Sequence, residues 1–250
     1  MVICTANQKG GPGKTVTAIN VAVLLGRSRR VLVVDADQQA TLSRQLGIDT
    51  RLLLLTLADV LSGRAPAEDA TVRDVHGVDV IPGARELAGV EMSLVDQLGR
   101  ERFLHDALQP VLDRYDHIVI DTAPNLGLIT VNGLWCADTV LAPVAADDPA
   151  SVQGVLELRA TLARLEQLRG TKLRLVTVLT RWQAGRIVGD LVDRALADDD
   201  LAPVARIPAR ALVSQAAAAG QPLVAIAPDS AVAIAYQRAV DELLAAETVR

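Results

Sequence analysis

The chain has 250 residues, half of them hydrophobic and 22% charged, and 30 acidic against 25 basic side chains leave a formal charge of −5. That hydrophobic fraction excludes disorder, and the ordinary glycine, proline and cysteine counts exclude collagen-like or disulfide-rich chains. The negative balance excludes a wholesale basic nucleic-acid binder, so any DNA contact must come from a local patch.

Short β-branched runs alternate with longer segments of helical period. In chain order the sequence predicts a strand at Val2–Ala6, a helix at Thr15–Arg27, and strands at Val31–Asp35 and Val78–Ile81. A helix at Arg102–Arg114 then precedes strands at His117–Asp121 and Thr139–Val144. A helix at Ser151–Leu168 follows, then strands at Leu173–Leu179, Pro203–Ile207 and Leu223–Ile226, and a closing helix at Ser230–Ala246. Most of the strands are continuous apolar runs, which suits parallel strands covered on both faces. Strand–helix alternation over the whole length predicts an α/β fold: a single doubly wound domain, 1–250, with a mostly parallel central sheet flanked by helices.

Cys4 and Cys136 are too far apart for a zinc motif and suit a reducing compartment. The N-terminus lacks a signal-peptide pattern, and no apolar stretch reaches the ~18–20 residues of a membrane span. The expected location is the cytoplasm, and the nucleoid wherever DNA is bound.

The strongest motif is Asn7-Gln8-Lys9-Gly10-Gly11-Pro12-Gly13-Lys14-Thr15, set between the first strand and the first helix. Glycines let backbone N–H groups turn around anionic oxygens, and a helix N-terminus adds partial positive charge. Lys14 would reach the β- and γ-phosphates of a nucleotide, and the Thr15 hydroxyl would ligate Mg²⁺. Two aspartate clusters end later strands. Asp35-Ala36-Asp37-Gln38-Gln39 emerges beside the loop, and Ile118-Val119-Ile120-Asp121-Thr122-Ala123-Pro124 has a Walker B pattern whose Asp121 would hold Mg²⁺.

The ordinary G-x-x-x-x-G-K-[ST] spacing fails, because its first glycine falls on Gln8 and a second lysine, Lys9, stands at the loop mouth. This arrangement resembles the deviant phosphate loop, K-G-G-x-G-K-[ST], of the ParA/MinD family of dimeric ATPases. The resemblance implies that residues 10–16 (Gly10, Gly11, Pro12, Gly13, Lys14, Thr15 and Val16) wrap ATP, and that Lys9 reaches the partner subunit's ATP across a dimer. It further implies that Asp37 orients or deprotonates the attacking water while Asp35 supports the Mg²⁺ shell. Pro12 replaces a small aliphatic residue and removes an N–H. Val16 replaces a second threonine, and Gln38 the proline of D-x-D-P-Q.

The resemblance continues almost to the end of the chain. Leu179-Thr180-Arg181 and Ile207-Pro208 match segments that border the adenine, which puts Thr180 and Pro208 in the nucleotide site and Trp182 beside it. Gly185-Arg186 resembles a glycine-arginine that contributes to non-specific DNA binding. Two arginines usual after Ile-Pro are replaced by Ala209 and Leu212, while Arg210 stands nearby. Arg181, Arg186, Arg194, Arg206 and Arg210 would form a thinned basic patch, with Arg186 and Arg210 as the DNA contacts. The implied function is a ParA-type partition ATPase that dimerises with ATP and Mg²⁺, binds DNA weakly, and is stimulated by a small partner protein. Two alternatives stay open: a nucleotide-switched scaffold that positions a protein cargo without DNA, and a member that binds ATP without hydrolysing it. A MinD-like membrane tail does not fit the acidic last helix. An iron–sulfur role does not fit Cys4 inside a strand and Cys136 in a helical run.

Overall fold

In the computed structural model, which describes residues 1–245, the apolar runs lie side by side as one eight-stranded sheet. The chain runs β1 (Val2–Thr5), α1 (Lys14–Gly26), β2 (Val31–Ala36), α2 (Thr41–Gln45) and α3 (Leu57–Leu61). It continues through β3 (Val72–Val75), β4 (Val78–Ile81), α4 (Leu87–Leu94), α5 (Phe103–Leu108), β5 (His117–Thr122) and α6 (Leu128–Cys136). Then come β6 (Thr139–Ala145), α7 (Ala150–Arg169), β7 (Arg174–Trp182), α8 (Ile187–Asp198) and β8 (Ala205–Pro208). Three helices close the described chain: α9 (Ala211–Ala218), α10 (Leu223–Ile226) and α11 (Ala231–Ala245). Ala246, the expected end of the last helix, and the tail 247–250 lie outside the described residues.

The strand order is β3-β4-β2-β5-β1-β6-β7-β8, and every pairing is parallel except β3 with β4. Each central strand feeds two cores. Leu32, Val34, Ile118 and Ile120 face the cluster under α3 to α8, while Val31, Val33 and Val119 face the one under α1 and α9 to α11. Coverage on both faces is why these strands read as unbroken apolar runs. β1 lies between β5 and β6, so the chain leaves it in one direction toward β2 and later returns on the other side. Loops diverge at such a reversal and leave a crevice beyond the carboxyl ends of the strands. The register puts Thr5, Asp35 and Asp121 on one rung at that edge.

Three departures from the sequence reading have local causes. Leu223–Ile226 is a helical turn, not a strand: Pro222 precedes it in extended conformation, and the Asn20 side chain accepts from the Val224 N–H at 3.0 Å. The predicted helix Arg102–Arg114 is α5 followed by a 3-10 segment at Gln109–Arg114, where Pro110 removes an N–H donor. Strand β3 has no clear sequence signal because its Val-Arg-Asp-Val run is half exposed and carries Asp74 at φ 52°.

Candidate nucleotide-binding site

The loop after β1 folds as its glycines require. Gly11 and Gly13 take φ of 86° and 89°, a region side chains rarely enter, and Gly13 is the N-cap of α1. The first amides of α1 therefore open into the loop, which gives the concave, partly positive cradle that phosphates need. Thr180 anchors this turn from β7, its hydroxyl donating to the Pro12 carbonyl at 2.7 Å and the Val144 carbonyl at 3.1 Å. Lys14 is buried with Nζ 3.4 Å from the Lys9 carbonyl. Burial lowers its pKa, opposed by the charges of Asp121 and Asp37. The Lys9 ammonium, half exposed, pairs with Asp148 at 3.2 Å, and this bond holds the Asp148 carboxyl below its usual range.

Two residues hold this loop, Asn7 at the start of the motif and Gly154, which no motif marks. Asn7 donates to the Pro143 carbonyl at 2.7 Å and accepts from the Lys9 N–H at 3.1 Å. Gly154 of α7 passes so close that a Cβ there would sit 2.5 Å from Asn7 Oδ1. A glycine inside a long helix costs up to about 1 kcal/mol relative to alanine, and that is the one available signal.

The three aspartates differ in their surroundings. Asp121 is fully buried; Thr5 donates to its Oδ1 at 2.9 Å, and Oδ2 has no hydrogen-bond partner among the described residues. Burial, then the charge of Asp35, pushes its pKa up to about 7, while the Thr15 and Thr5 hydroxyls oppose the shift. Asp35 is also fully buried and raised to about 6 by desolvation. Its Oδ2 accepts from the Ser43 N–H at 2.9 Å and hydroxyl at 2.7 Å, and its Oδ1 from the Asp37 N–H at 3.3 Å. Both oxygens of Asp35 are thus engaged in fixing the loop, Oδ2 through a serine that no motif marks. Asp37 accepts from the Gln39 N–H at 2.8 Å in a tight turn that continues through Ala40 at φ 48°.

The Asp121 oxygen without a partner and the nearby Thr15 hydroxyl are hard donors that fit Mg²⁺. Among the described residues no cluster of three or more His, Cys, Asp or Glu side chains could hold a metal. That donor set suits an ion which completes its shell with phosphate oxygens and water.

Beside the loop lies a cavity of about 450 Å³, bounded by residues 11–13, Val16, Thr180, Ile207, Pro208 and Tyr236. Thr180 and Pro208 both line this cavity. Tyr236 closes the floor, its hydroxyl 3.3 Å from Thr17 Oγ1, and burial pushes its pKa up to about 12. Arg210 lines the same cavity. Trp182 does not line it; the indole packs against Gly189 of α8 and under the Arg206 guanidinium, 5.9 Å from the ring centre.

The proposed basic patch is partly neutralised. Arg181 pairs with Asp147 at 2.9 Å and Arg206 with Asp193 at 2.7 Å, whereas Arg186, Arg194 and Arg210 are exposed. Both cysteines are free; Cys4 is buried in β1 and Cys136 ends α6, and desolvation raises both thiols. Among the described residues, no helix is long and apolar enough to cross a membrane.

A family model described as an AAA domain matches residues 1–175. The chain is 35% identical to the chromosome partitioning protein ParA of Caulobacter vibrioides, across 100% of this chain and 96% of that protein. It is 34% identical to the sporulation initiation inhibitor protein Soj of Bacillus subtilis, across 98% of each. A solved structure of cobyrinic acid a,c-diamide synthase from Mycobacterium smegmatis, with bound ATP analog and magnesium, matches at 32% identity. Its TM-score is 0.84, over 97% of this chain and 93% of that one.

Proposed function

This chain belongs to the ParA-type P-loop ATPases of the ParA/MinD family, and we propose that it is a nucleotide-switched dimer that partitions a plasmid, a chromosome or another large cargo. Its substrate is ATP, with the adenine in the cavity beside Thr180 and Pro208 and the phosphates on the amides of residues 10–15. Lys14 draws the β- and γ-phosphate oxygens, and Lys9 of a second subunit adds a cation in trans. The Thr15 hydroxyl and the Asp121 carboxylate would hold Mg²⁺, with Asp35 bracing the shell, and the ion would supply positive charge to the phosphates. Asp37 orients the attacking water and accepts its proton. Turnover is slow until a small partner protein completes the site. No membrane enters the cycle.

The observation that carries this reading is the convergence of Lys14, Asp35, Asp37 and Asp121 at the carboxyl edge of β1, β2 and β5, with one carboxylate oxygen of Asp121 left without a partner. ATP favours the dimer and DNA binding, and hydrolysis releases both, because contacts to the γ-phosphate differ between the two states. The Arg181–Asp147 and Arg206–Asp193 pairs favour a second reading, in which the dimer positions a protein cargo without DNA.

Anisotropy of a labelled arbitrary duplex, titrated under ATP, ADP and no nucleotide at two salt concentrations, separates the two. Binding only with ATP, weakening steeply with salt, is the expected result. ATP-bound dimers in light scattering that ignore DNA at low salt would replace the DNA reading with the protein-cargo one.

A further inference from the structure

A second cavity, of about 790 Å³, opens behind the Asp37 loop and shares no residue with the phosphate loop. Gln38, Gln39 and Ala40 form one wall, and residues of α2, the segment 50–54, α3 and the turn into α4 form the others. Four guanidinium groups line it against only two carboxylates, Asp59 and Glu86, in a chain whose overall charge is negative. Three of the four already have carboxylate partners: Arg51 with Asp49, Arg64 with Asp59 and Arg85 with Glu86. Arg44 has none among the described residues; it donates to the Gln39 carbonyl and, at 3.3 Å, to Thr41 Oγ1. Apolar surface adjoins these charges, since Leu53 and Leu54 line the cavity and Leu54 is 95% exposed.

We propose that this cavity binds an extended partner segment bearing carboxylate and leucine-like side chains, and that capture of a carboxylate by Arg44 slows hydrolysis at the neighbouring site. The link is two hydrogen bonds long. Asp37 accepts from the Gln39 N–H, the Gln39 carbonyl accepts from Arg44, and Arg44 faces the cavity. A carboxylate is a stronger acceptor for a guanidinium fork than a neutral carbonyl, and binds it in two places. Its arrival takes Arg44 away from Gln39 and loosens the turn that orients Asp37. The exposed leucine and the size of the cavity match a peptide and exceed what a lone phosphate ion would fill. The effect on turnover rests on the role assigned to Asp37; the binding itself does not.

The test titrates the full chain by calorimetry with a peptide alternating Asp and Leu, its Asn–Leu counterpart, and inorganic phosphate. The acidic peptide should bind about tenfold tighter than the amide version, and Arg44→Gln should remove that advantage, as loss of a charged hydrogen bond predicts. Arg51→Gln, at a position that also lines the cavity, should weaken the peptide about threefold with basal hydrolysis unchanged. Saturating acidic peptide should lower kcat with little change in KM. Asp37→Ala should retain peptide binding, so a failed role for Asp37 would appear as bound peptide without a kinetic effect and would overturn only the coupling. Equal binding of both peptides, binding unaffected by Arg44→Gln, or displacement of the peptide by millimolar phosphate would overturn the site.

Discussion

At the rim formed by β1, β2 and β5, Lys14, Asp35, Asp37 and Asp121 are buried together, whereas at the β7–β8 rim Arg181, Arg186, Arg206 and Arg210 stand in solvent. The two rims are edges of one sheet, yet charge behaves differently in each. Removal from water raises Asp35 and Asp121 to about 6 and 7 and lowers Lys14. Such groups gain from a ligand that restores their lost interactions. In the second set, solvent and the local acids Asp147 and Asp193 already satisfy much of the charge, so a partner adds little per residue. A site whose function depends on burial should therefore fail abruptly, and one that depends on exposed charge should fade.

The sharpest way to break that contrast is Lys14→Ala, which should abolish ATP binding in calorimetry; unchanged affinity would remove the phosphate-loop assignment. Asp37→Ala comes next. It should reduce phosphate release by about a hundredfold or more while an ATP-bound dimer persists in light scattering. Gly83→Ala probes how closely the loops are built, since a Cβ there would lie 2.8 Å from the backbone oxygens of both Asp35 and Asp37. It should cost about 1–3 kcal/mol in denaturant melts and lower turnover; an unaltered melt would mean the loops yield more easily than their close packing implies.

Titration sharpens the comparison further. Asp35 and Asp121 keep protons in the folded chain that the unfolded chain has already released, so folding binds protons between roughly pH 4 and 7. By linkage their contribution is most favourable below that window and declines as pH rises through it. Without nucleotide and Mg²⁺ the Tm should fall by about 2–4 °C per kcal/mol of stability removed as pH rises from 5 to 8, and Mg²⁺-ATP should flatten the slope. A Tm that climbs over this range without Mg²⁺-ATP would contradict the burial argument. Smallest of all, Arg186→Ala and Arg210→Ala should each weaken DNA binding a few-fold and reduce the salt slope by about 0.9 for each phosphate no longer neutralised. If Arg210→Ala changes ATP affinity and leaves the DNA slope alone, its place on the wall of the 450 Å³ cavity is the one that matters.

Much of the fold is legible in the sequence because burial on both faces writes itself into consecutive residues. Val78–Ile81 has the bounds expected, and the ends of β2 and β5 differ by one residue from the reading. The differences fall where local pattern and tertiary setting disagree. Val224 looks like strand, yet Asn20 and Arg27 of the first helical region bind its amide and carbonyl and hold it in a helical turn. Nearness in sequence places Trp182 beside the expected base pocket, yet its ring packs against the glycine of α8 and does not line that cavity.

By itself the sequence determined the phosphate loop, the order of the carboxylates and the parallel sheet beneath them. Each is a local matter of glycine conformation, apolar periodicity and residues one or two positions apart. Only the tertiary structure decided that Ser43 engages Asp35, that Asn7 and Gly154 clasp the loop, that Tyr236 lines the 450 Å³ cavity and that Asp193 takes Arg206. These partners lie 8 to 219 positions from the residues they bind or meet. Hydrogen bonds and close packing act over a few ångströms of space, and nothing in a linear spacing records which distant side chain the folded sheet will bring within that reach.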